Sequence, residues 1–594
     1  MKVLSRVRAR HFVALTLLFC LCLGGVLGCQ FAEERSRRGS LDWSRGQRLG
    51  QAALNDRPAL EVDGATGEAY VVWVAGEGDT SRLRFVRLDD AGRILVQRDL
   101  PFHVSMPSRV QMVASEGKQL YVAWIDNPAK GRSLFLARMD EEGEEKASPV
   151  QISPPGMVVD SYAMARGGDA GIHLFWGVEE GAGRGFYYML LAGGELEEPV
   201  LVRERGLAPC VRVDAGGEMH VVWREEPRAG ECVVYYATFD AQGAILRDPH
   251  EIVSFSAPLG VTVHGPELGL TRDGVYIFWS SEVRGGGLTP PMAESYYVSF
   301  PLGEPQLAQR PRDIELPATN DPAYETLEST FNVHELAPAE TLSGASFVYM
   351  PSTIRTSEEE LTVAFAVELV GRTKEIIQPA LTLWREGALR GYQIVSKTRN
   401  VSMRPSLLGD EKGDLHLIWI DSAGFGAYDV YYAGTAREVR QHLNRITGRD
   451  VMGALFDFAW AVAQAVSFFP LLFLWGFLPL TLIAVYSVIS AKGSLALWGP
   501  RIVLALSALL YVAFKYLFQP NWLGGLPLPG RLPPRVSNIL MYAAPFVISG
   551  VAGGMAWLYA RRQERSSLFP TFLVFMVSDT LLTLLIYVPG ILAE

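Results

Sequence analysis

The hydrophobic positions in the first three quarters of the chain form a strand-like pattern that repeats. An apolar run that ends in an aromatic residue recurs seven times, with the aromatic at Trp73, Trp124, Trp176, Trp223, Trp279, Phe365 and Trp419. Successive aromatics lie 51, 52, 47, 56, 86 and 54 residues apart. A period of roughly 50 residues with four short strands per unit is typical of a β-propeller blade. The pattern therefore predicts an all-β, seven-bladed β-propeller over residues 45–435.

Blade four shows the unit most clearly. Its predicted strands cover residues 210–213, 219–223, 232–239 and a segment that ends near residue 253. Turns containing Asp and Gly separate the strands, because these residues tolerate the backbone angles of tight turns. The third strand carries a Tyr–Tyr pair, which recurs at residues 187–188, 296–297 and 431–432. Residues 311–338, rich in Pro, Glu and Thr, interrupt the period and predict a long loop.

Blade seven has no fourth strand of its own. After Tyr432 the chain runs through Ala-Gly-Thr toward a helix, which would leave a sheet edge unpaired. Residues 46–51, which precede blade one, are free to supply the missing strand. We therefore expect residues 46–51 to pair with residues 429–432 as their outer neighbour and to close the ring.

The Trp-ending strand followed by a Tyr–Tyr strand resembles the sialidase-like (BNR or Asp-box-like) superfamily of bacterial β-propellers. The resemblance covers about residues 45–435 and implies the propeller fold. The Asp-box sequence Ser-x-Asp-x-Gly-x-Thr-Trp is absent, and only Asp-x-x-Gly remains at its turn. The arginine triad, Tyr–Glu pair and aspartate acid of sialidases match no contiguous motif in this sequence. The resemblance therefore assigns no catalytic residue.

Beyond Val451 the chain is nearly free of charge. A helix needs about 20 apolar residues to cross a bilayer, and four segments meet this need: residues 468–490, 502–518, 536–560 and 568–592. Residues 468–594 are therefore predicted to form a four-helix transmembrane domain. Residues 436–467 are predicted to form an amphipathic helix at the membrane interface, with the arginines between residues 437 and 449 on its polar face.

The basic residues between these spans predict the orientation of the protein. They lie in two loops on one side, at Lys492, Arg501, Arg561, Arg562 and Arg565. Basic loops favour the cytoplasm. The chain is therefore predicted to be a multi-pass protein of the plasma (inner) membrane, with its propeller on the extracytoplasmic side.

Residues 1–29 have the features of an export signal. A basic start precedes an apolar run from His11 to Gly28, and residues 26–29 resemble the lipobox of bacterial lipoproteins. We expect Cys29 to carry lipid, with an uncleaved anchor or ordinary cleavage as alternatives. All three place the following residues outside the cytoplasm. Residues 30–44 are predicted to form a linker.

The histidines and cysteines of the repeats are interpreted as packing groups. His173, His220 and His416 stand three residues before the Trp of their blades, and equivalent positions in different blades cannot converge on one ion. Cys210 and Cys232 fall on strands that lie roughly 9–10 Å apart, beyond the reach of a disulfide. Two buried thiols are expected, with a disulfide as the alternative. No metal or cofactor site is predicted.

Carboxylates follow the Trp where the second strand ends. Asp126, Glu225, Glu282 and Asp421 are candidate ligand-binding residues on one rim of the propeller, because a ring of carboxylates attracts a cation or a basic partner. The alternative is that these are solvated turn residues without a ligand. The variable offset from the Trp favours the alternative.

Asp579 is the charged residue nearest the middle of the last predicted span. A charge at that depth is costly and usually faces the interior of a helix bundle. Ser549 lies at similar depth in the preceding span, and Lys515 can reach down as a counter-ion. We expect these three residues to be neighbours. Their role is either an ion or proton relay, or packing.

Composition and motifs limit the classes of function. The net charge of −10 and the lack of a basic stripe exclude a nucleic-acid partner. The sequence contains no nucleophile elbow, P-loop, His-Glu-x-x-His motif or Cys-x-x-Cys pair. The favoured function is a membrane-anchored propeller that binds a protein or carbohydrate ligand in an envelope complex. The alternatives are a transporter or signal-relay subunit that uses the helical domain, and a propeller-type glycoside hydrolase or lyase.

Overall fold

The computed structural model describes residues 35–592 except 77–79, 116–117, 128–130, 168–170, 180, 182, 284–291, 315, 317–347, 356–358, 371–374, 399, 425, 468–470, 491–492, 518–533 and 564–565. The described residues form two compact units, which divide after Arg445. The first unit is built of strands and the second of helices. The export signal and Cys29 lie outside the described residues.

The first four blades are antiparallel sheets whose strands follow one another in sequence order, except that in blade three the last two strands both pair with the third. Two strands, β1 Arg37–Arg38 and β2 Gln47–Ala52, precede them. Blade one contains β3 Ala59–Val62, β4 Ala69–Ala75, β5 Arg82–Leu88 and β6 Ile94–Asp99. Blade two contains β7 Ser108–Ala114, β8 Leu120–Asp126, β9 Ser133–Met139 and β10 Glu145–Gln151. Blade three contains β11 Val159–Arg166, β12 Ile172–Val178, β13 Gly185–Ala192, the short β14 Glu195–Leu196 and β15 Val200–Arg203. Blade four contains β16 Leu207–Val213, β17 Met219–Glu225, β18 Glu231–Phe239 and β19 Ile245–Ser256.

The last three blades complete a ring of seven. Blade five contains β20 Val261–Leu270, β21 Gly274–Val283, β22 Met292–Pro301 and β23 Arg312–Asp313. Blade six contains β24 Val348–Arg355, β25 Leu361–Val370, β26 Glu375–Arg385 and β27 Ala388–Ile394, and β28 Ser396–Lys397 follows it. Blade seven contains β29 Ser402–Gly409, β30 Leu415–Gly424, β31 Ala427–Gly434 and, as its outer strand, β2. The predicted seven-bladed β-propeller is confirmed.

The N-terminal strand closes the ring as the sequence predicts. Gln47 pairs with Tyr432, and Gln51 pairs with Asp429, in an antiparallel ladder between β2 and β31. Blade seven therefore combines one strand from the start of the propeller with three from its end. This arrangement removes the open edge that a three-stranded blade would leave.

The segment before β2 is not the linker that the sequence predicts. Residues 35–44 pack on blades six and seven, where β1 pairs with β28 and the Trp43 side chain is fully buried. The Ser36 hydroxyl also contacts the Ser396 hydroxyl at 2.5 Å. An indole that lies between two blades gives this segment an apolar anchor, so the propeller begins by residue 35 and not at residue 45.

The Tyr–Tyr pairs of the third strands explain the aromatic repeat. The first tyrosine stacks on the Trp of the same blade, as Tyr235 does on Trp223 with ring centroids 5.9 Å apart. The second tyrosine points to the other face of the sheet, because side chains alternate along a strand. In three blades its hydroxyl meets a histidine there. The Oη–Nδ1 distances are 2.9 Å for His173, 2.6 Å for His220 and 2.8 Å for His416. These histidines are buried against the tyrosine of their own blade, and the absence of a metal role stays a prediction.

We expect the propeller to lose stability as the pH falls from about 6.5 to about 4. Burial lowers the pKa of His173 and of His416 from 6.5 to about 4. The unfolded chain therefore binds protons in this range that the folded chain excludes, so stability is complete above pH 6.5 and declines below it. The midpoint of urea unfolding should fall steadily with pH in this range.

The variant His416→Gln tests this origin of the pH dependence. Its amide keeps polar atoms near the Tyr432 hydroxyl but takes up no proton in this range. We expect a shallower slope of unfolding free energy against pH between 6.5 and 4. A slope equal to that of the wild type would contradict the assignment.

The structure also tests two further predictions for the propeller, one on its cysteines and one on its long loop. Cys210 and Cys232 are buried free thiols, and burial raises the pKa of Cys210 to about 11. The predicted loop of residues 311–338 begins too early, because β23 forms the outer strand of blade five. Residues 317–338 lie outside the described part of the chain.

Six helices follow the propeller strands: α1 Arg437–Leu443, α2 Gly448–Ser467, α3 Leu471–Ser490, α4 Trp498–Leu517, α5 Pro534–Arg562 and α6 Leu568–Leu592. The single interfacial helix predicted over residues 436–467 is wrong. Val439 and Leu443 of α1 are buried in the propeller core beside Tyr432, because these apolar side chains fill the outer layer of blade seven. The helix α1 thus belongs to the first unit, and α2 begins the second.

The helical unit indicates a membrane protein. Helices α4, α5 and α6 are long and apolar enough to cross a bilayer, and α3 contains a shorter apolar stretch, Leu474–Ser490. Three of the four predicted spans therefore reach the required length among the described residues. Helix α6 lies beside α5, α4, α3 and α2, so the residues of α6 form the centre of this unit.

Candidate functional site

Two of the predicted rim carboxylates hold the indole of their own blade. The Trp223 Nε1 donates to Glu225 Oε1, and the Trp419 Nε1 donates to Asp421 Oδ1, both at 3.2 Å. Both carboxylates are buried. Glu225 also forms an ion pair with Arg203 at 3.2 Å. These carboxylates therefore stabilise the aromatic core of the blade.

The other two rim carboxylates differ from each other. Asp126 is buried and accepts hydrogen bonds from the backbone N–H groups of Ser105, Met106 and Asn127. The Glu282 carboxylate contacts His264 Nε2 at 2.7 Å and keeps 23% of its side chain exposed. The alternative of solvated turn residues is thus wrong for Asp126, Glu225 and Asp421. The ligand-binding role stays a prediction, and Glu282 is its most accessible member.

The innermost strands of the seven blades contact their neighbours in sequence order around the ring, and so line the central channel. Near their starts, a bulge interrupts the pairing of β7 and of β29. Arg109 and Arg404 occupy these bulges with φ angles of 52° and 58°. Bulges redirect side chains at the ends of strands. Arg57 takes the corresponding place just before β3. We call Arg57, Arg109 and Arg404, from three consecutive blades, the arginine mouth.

A chain of charges crosses the channel below the arginine mouth. Arg57 Nη2 donates to the Pro351 carbonyl at 2.7 Å, and Arg57 Nη1 lies 3.6 Å from Glu267 Oε2. The other oxygen of Glu267 lies 2.7 Å from Arg212 Nη2. The chain joins blades one, six, five and four. Both oxygens of Glu267 are therefore engaged by arginines.

Of the two arginines of this mouth whose side chains form no ion pair among the described residues, Arg404 is the more buried and Arg109 the more exposed. Arg404 Nε donates to Asn55 Oδ1 at 3.1 Å. Burial lowers the pKa of Arg404 below its ordinary value. Arginine keeps its charge in proteins, so the guanidinium remains a cation with unfilled donor capacity. Such a group favours an anionic ligand.

Asp56 and a histidine–glutamate pair border the same mouth. Asp56 accepts hydrogen bonds from the backbone N–H groups of Arg57 and Arg109. The His264 ring that contacts Glu282 also packs edge-on against Tyr349, with centroids 5.6 Å apart. Burial lowers the pKa of His264 and raises that of Tyr349 to about 12. Both rings therefore favour their neutral forms near pH 7.

A second constellation of polar groups lies inside the helical unit. Asp579 of α6 is fully buried. Its Oδ1 accepts from Ser549 Oγ of α5 at 2.6 Å. Its Oδ2 accepts from Lys515 Nζ at 2.8 Å and from Tyr511 Oη at 3.0 Å, both on α4. The predicted proximity of Asp579, Lys515 and Ser549 is confirmed, and their role stays a prediction.

Two threonines of α6 complete this constellation. Lys515 Nζ donates to Thr583 Oγ1 at 2.6 Å, and Tyr511 Oη contacts Thr580 Oγ1 at 2.8 Å. Lys515, Tyr511 and both threonines are fully buried. We call the members the Asp579 cluster: Tyr511, Lys515, Ser549, Asp579, Thr580 and Thr583. The cluster joins three helices through hydrogen bonds and the Lys515–Asp579 ion pair.

The arginine mouth is the part of these sites that sequence reasoning missed. Arg57, Arg109 and Arg404 stand 16, 15 and 15 residues before the Trp of their blades. This nearly constant offset is a usable signal. The signal is easily missed because Ala208 and Met350, which are not arginines, occupy the same bulge in two other blades.

Comparisons with known proteins find solved structures of low similarity. No family model and no curated protein matches the sequence. A PL25 polysaccharide lyase, an ulvan lyase solved with -[GlcA(1-4)Rha3S]-, is 9% identical over 67% of this chain and 95% of its own, with a TM-score of 0.41. An endo-arabinase from Bacteroides thetaiotaomicron VPI-5482 is 10% identical over 65% of this chain and 96% of its own, with a TM-score of 0.28. A protein of unknown function from Dyadobacter fermentans DSM 18053 has a TM-score of 0.37 at 9% identity, over 56% of this chain and 96% of its own.

Proposed function

We propose that this protein is a membrane-anchored β-propeller that binds an anionic ligand, a carbohydrate or an acidic protein segment, at the arginine mouth. The observation that carries the proposal is Arg404, a half-buried guanidinium whose side-chain partner among the described residues is the neutral amide of Asn55. Arg57 and Arg109 lie at the same level in the next two blades. A planar guanidinium binds carboxylate and sulfate oxygens through paired hydrogen bonds.

The state of the nearby carboxylates supports binding over hydrolysis. A propeller glycosidase needs two carboxyl groups that can act as acid and as base or nucleophile. Among the described residues of the mouth, Glu267 is held by two arginines, Glu282 by His264 and Asp56 by backbone N–H groups. The oxygens of these carboxylates already accept hydrogen bonds or ion pairs, which leaves them poorly placed to act on a substrate.

The helical unit and the flanking basic residues support an extracytoplasmic position for the propeller. Arg561 and Arg562 end α5, and with Arg501 at the start of α4 they favour a cytoplasmic location for those helix ends. Lipidation of Cys29 would give the propeller a second anchor. The ligand then belongs to the cell envelope or to the surroundings of the cell.

Arg404→Ala should weaken binding of an acidic ligand about 10- to 100-fold, because a charge-assisted hydrogen bond contributes about 1.5–3 kcal/mol. The measurement is calorimetric titration of the detergent-solubilised protein with tetragalacturonate, and separately with a short poly-glutamate peptide. Each titration is repeated at high salt, since an electrostatic contact weakens there.

Arg390→Ala is the matched control, since it removes an arginine that pairs with Glu386 on the surface of blade six. Its affinity should equal that of the wild type. Equal affinity of the Arg404→Ala protein, or binding of neither probe to the wild type, would refute the proposed site.

A further inference from the structure

Polar side chains form a file between α4 and α6 that is hydrogen-bonded at its centre, from Tyr511 to Thr583, and unpartnered at both ends. On α4 the buried face carries Ser507, Tyr511 and Lys515 at intervals of one helical turn. Tyr511 contacts Thr580, and Lys515, one turn later, contacts Thr583. The two helices therefore run parallel along this file. Helices in hydrocarbon usually meet through apolar or small side chains, so a polar row of this length needs an explanation.

The file continues beyond the Asp579 cluster at both ends. Ser507 lies one turn before Tyr511, and Tyr587 lies one turn after Thr583. Both side chains are fully buried, and neither hydroxyl has a hydrogen-bond partner in the described part of the chain. An unpartnered hydroxyl in an apolar interior is unfavourable, because it has given up its hydrogen bonds to water. With a rise of 1.5 Å per residue, the file from Ser507 to Tyr587 spans roughly 18 Å of an apolar layer about 30 Å thick.

The central pair can hold its proton in two places. Lys515 Nζ and Asp579 Oδ2 are 2.8 Å apart, and both side chains are fully buried. Removing two charges from water costs several kcal/mol per ion, which offsets much of their attraction. The same hydrogen bond can therefore hold either an ammonium–carboxylate pair or an amine–carboxylic acid pair. They differ only in the position of one proton along this hydrogen bond.

We infer that α4 and α6 carry protons along this file. A hydroxyl both donates and accepts, so a proton arriving at Ser507 passes through one bridging water and Tyr511 to the Asp579 carboxylate. The Lys515 ammonium then gives its proton to Thr583, whose own hydroxyl proton leaves the Asp579 carbonyl and passes through a second water toward Tyr587. The Asp579 carboxyl returns a proton to the Lys515 amine. One proton enters and one leaves. Only O–H and N–H bonds form and break, no electron is transferred, and the file regains its starting state.

Purified full-length protein in liposomes tests this inference. With pyranine inside the vesicles and a potassium diffusion potential across them, the wild type should acidify the interior at least ten times faster than protein-free vesicles. The double variant Lys515→Met with Asp579→Leu replaces the pair by apolar groups and should reduce the flux to the level of protein-free vesicles. Its thermal unfolding should remain close to that of the wild type.

Two single variants separate proton transfer from packing. Ser507→Ala and Tyr587→Phe each remove one unpartnered hydroxyl and leave the charge pair intact. Each should lower the flux at least fivefold without lowering the unfolding temperature. A purely structural file predicts unchanged flux in both variants. Wild-type flux equal to that of empty vesicles, or full flux in the single variants, would overturn the inference even if the double variant fails to fold.

Discussion

Replacing Asp579 by Leu, or Lys515 by Met, will destabilise the helical unit by about 3–5 kcal/mol, whereas both replacements together will return most of that loss. A buried ion pair contributes little net stability, but removing one partner leaves an uncompensated charge in an apolar interior. Here the charge would lie at the centre of three helices, at the shared contact of α4, α5 and α6. Apolar side chains of similar volume satisfy the same space without any charge.

The measurement is thermal unfolding in detergent, together with the amount of full-length protein recovered from membranes. Ser549→Ala serves as the graded control, because it removes a single hydrogen bond to Asp579 Oδ1 and should cost about 1 kcal/mol. The idea fails if the double variant is as unstable as the sum of the two single variants, since the pair would then be indispensable.

Gly46→Leu will destabilise the propeller by about 3 kcal/mol or more, because it forces apart the strands that close the ring. A Cβ at position 46 would come within 2.6 Å of the Trp419 indole and 2.8 Å of the Ser36 hydroxyl. Trp419 is fully buried in blade seven and stacks on Tyr431. The indole therefore has no free space to move into, and the clash is relieved only if β2 separates from β31.

Gly131→Leu provides the matched control, because the nearest atom to its added Cβ is a Val158 methyl at 3.9 Å. Tryptophan fluorescence during urea unfolding should report the loss for the first variant and almost no change for the second. Limited proteolysis adds a second readout, since a propeller with an open blade should be cut near residue 46 under conditions that leave the wild type intact. Equal unfolding midpoints for the two variants would show that ring closure is dispensable.

Most of the fold could be predicted from the sequence, because the pattern of a blade occurs seven times. The Trp at the end of the second strand and the tyrosines of the third recur at nearly constant spacing. The strands of a blade with an unclear pattern can therefore be assigned by comparison with the other blades. Ring closure followed from a count of strands in blade seven and was confirmed by the pairing of Gln47 with Tyr432.

The ends of the propeller were harder to place than its blades. Residues 35–44 and the helix α1 carry no repeat, so their burial depends on a few side chains such as Trp43 and Leu443. A lone Trp in a polar segment, or a Val and a Leu on a short helix rich in arginine, fits a surface equally well. Tertiary contacts decide such cases, and the sequence alone does not contain them.

The two candidate sites differed in how much of them was predictable. Asp579 was conspicuous because a charge in an apolar run is expensive, and helix depth alone selected Lys515 and Ser549 as partners. The rim carboxylates were misjudged because an acidic residue after a Trp looks the same whether it faces water or the indole N–H. For Glu225 and Asp421 the structure places the carboxylate on the indole.

The binding of the first residues of the propeller to its exit point has a mechanical consequence. Arg35 donates to the carbonyls of Leu443 and Arg445, each at 3.2 Å, and the Arg45 N–H donates to Asn444 Oδ1 at 2.8 Å. Tension that enters the propeller at Arg445 is therefore divided between the end of β31 and the segment that leads into β2. Strands β2 and β31 are then pulled in the same direction, so their hydrogen bonds are not broken one after another. A ring that is closed by its N-terminal strand opens most easily when that strand is peeled away. The hydrogen bonds of Arg35 and Arg45 therefore protect the β2–β31 pairing from forces transmitted along the chain.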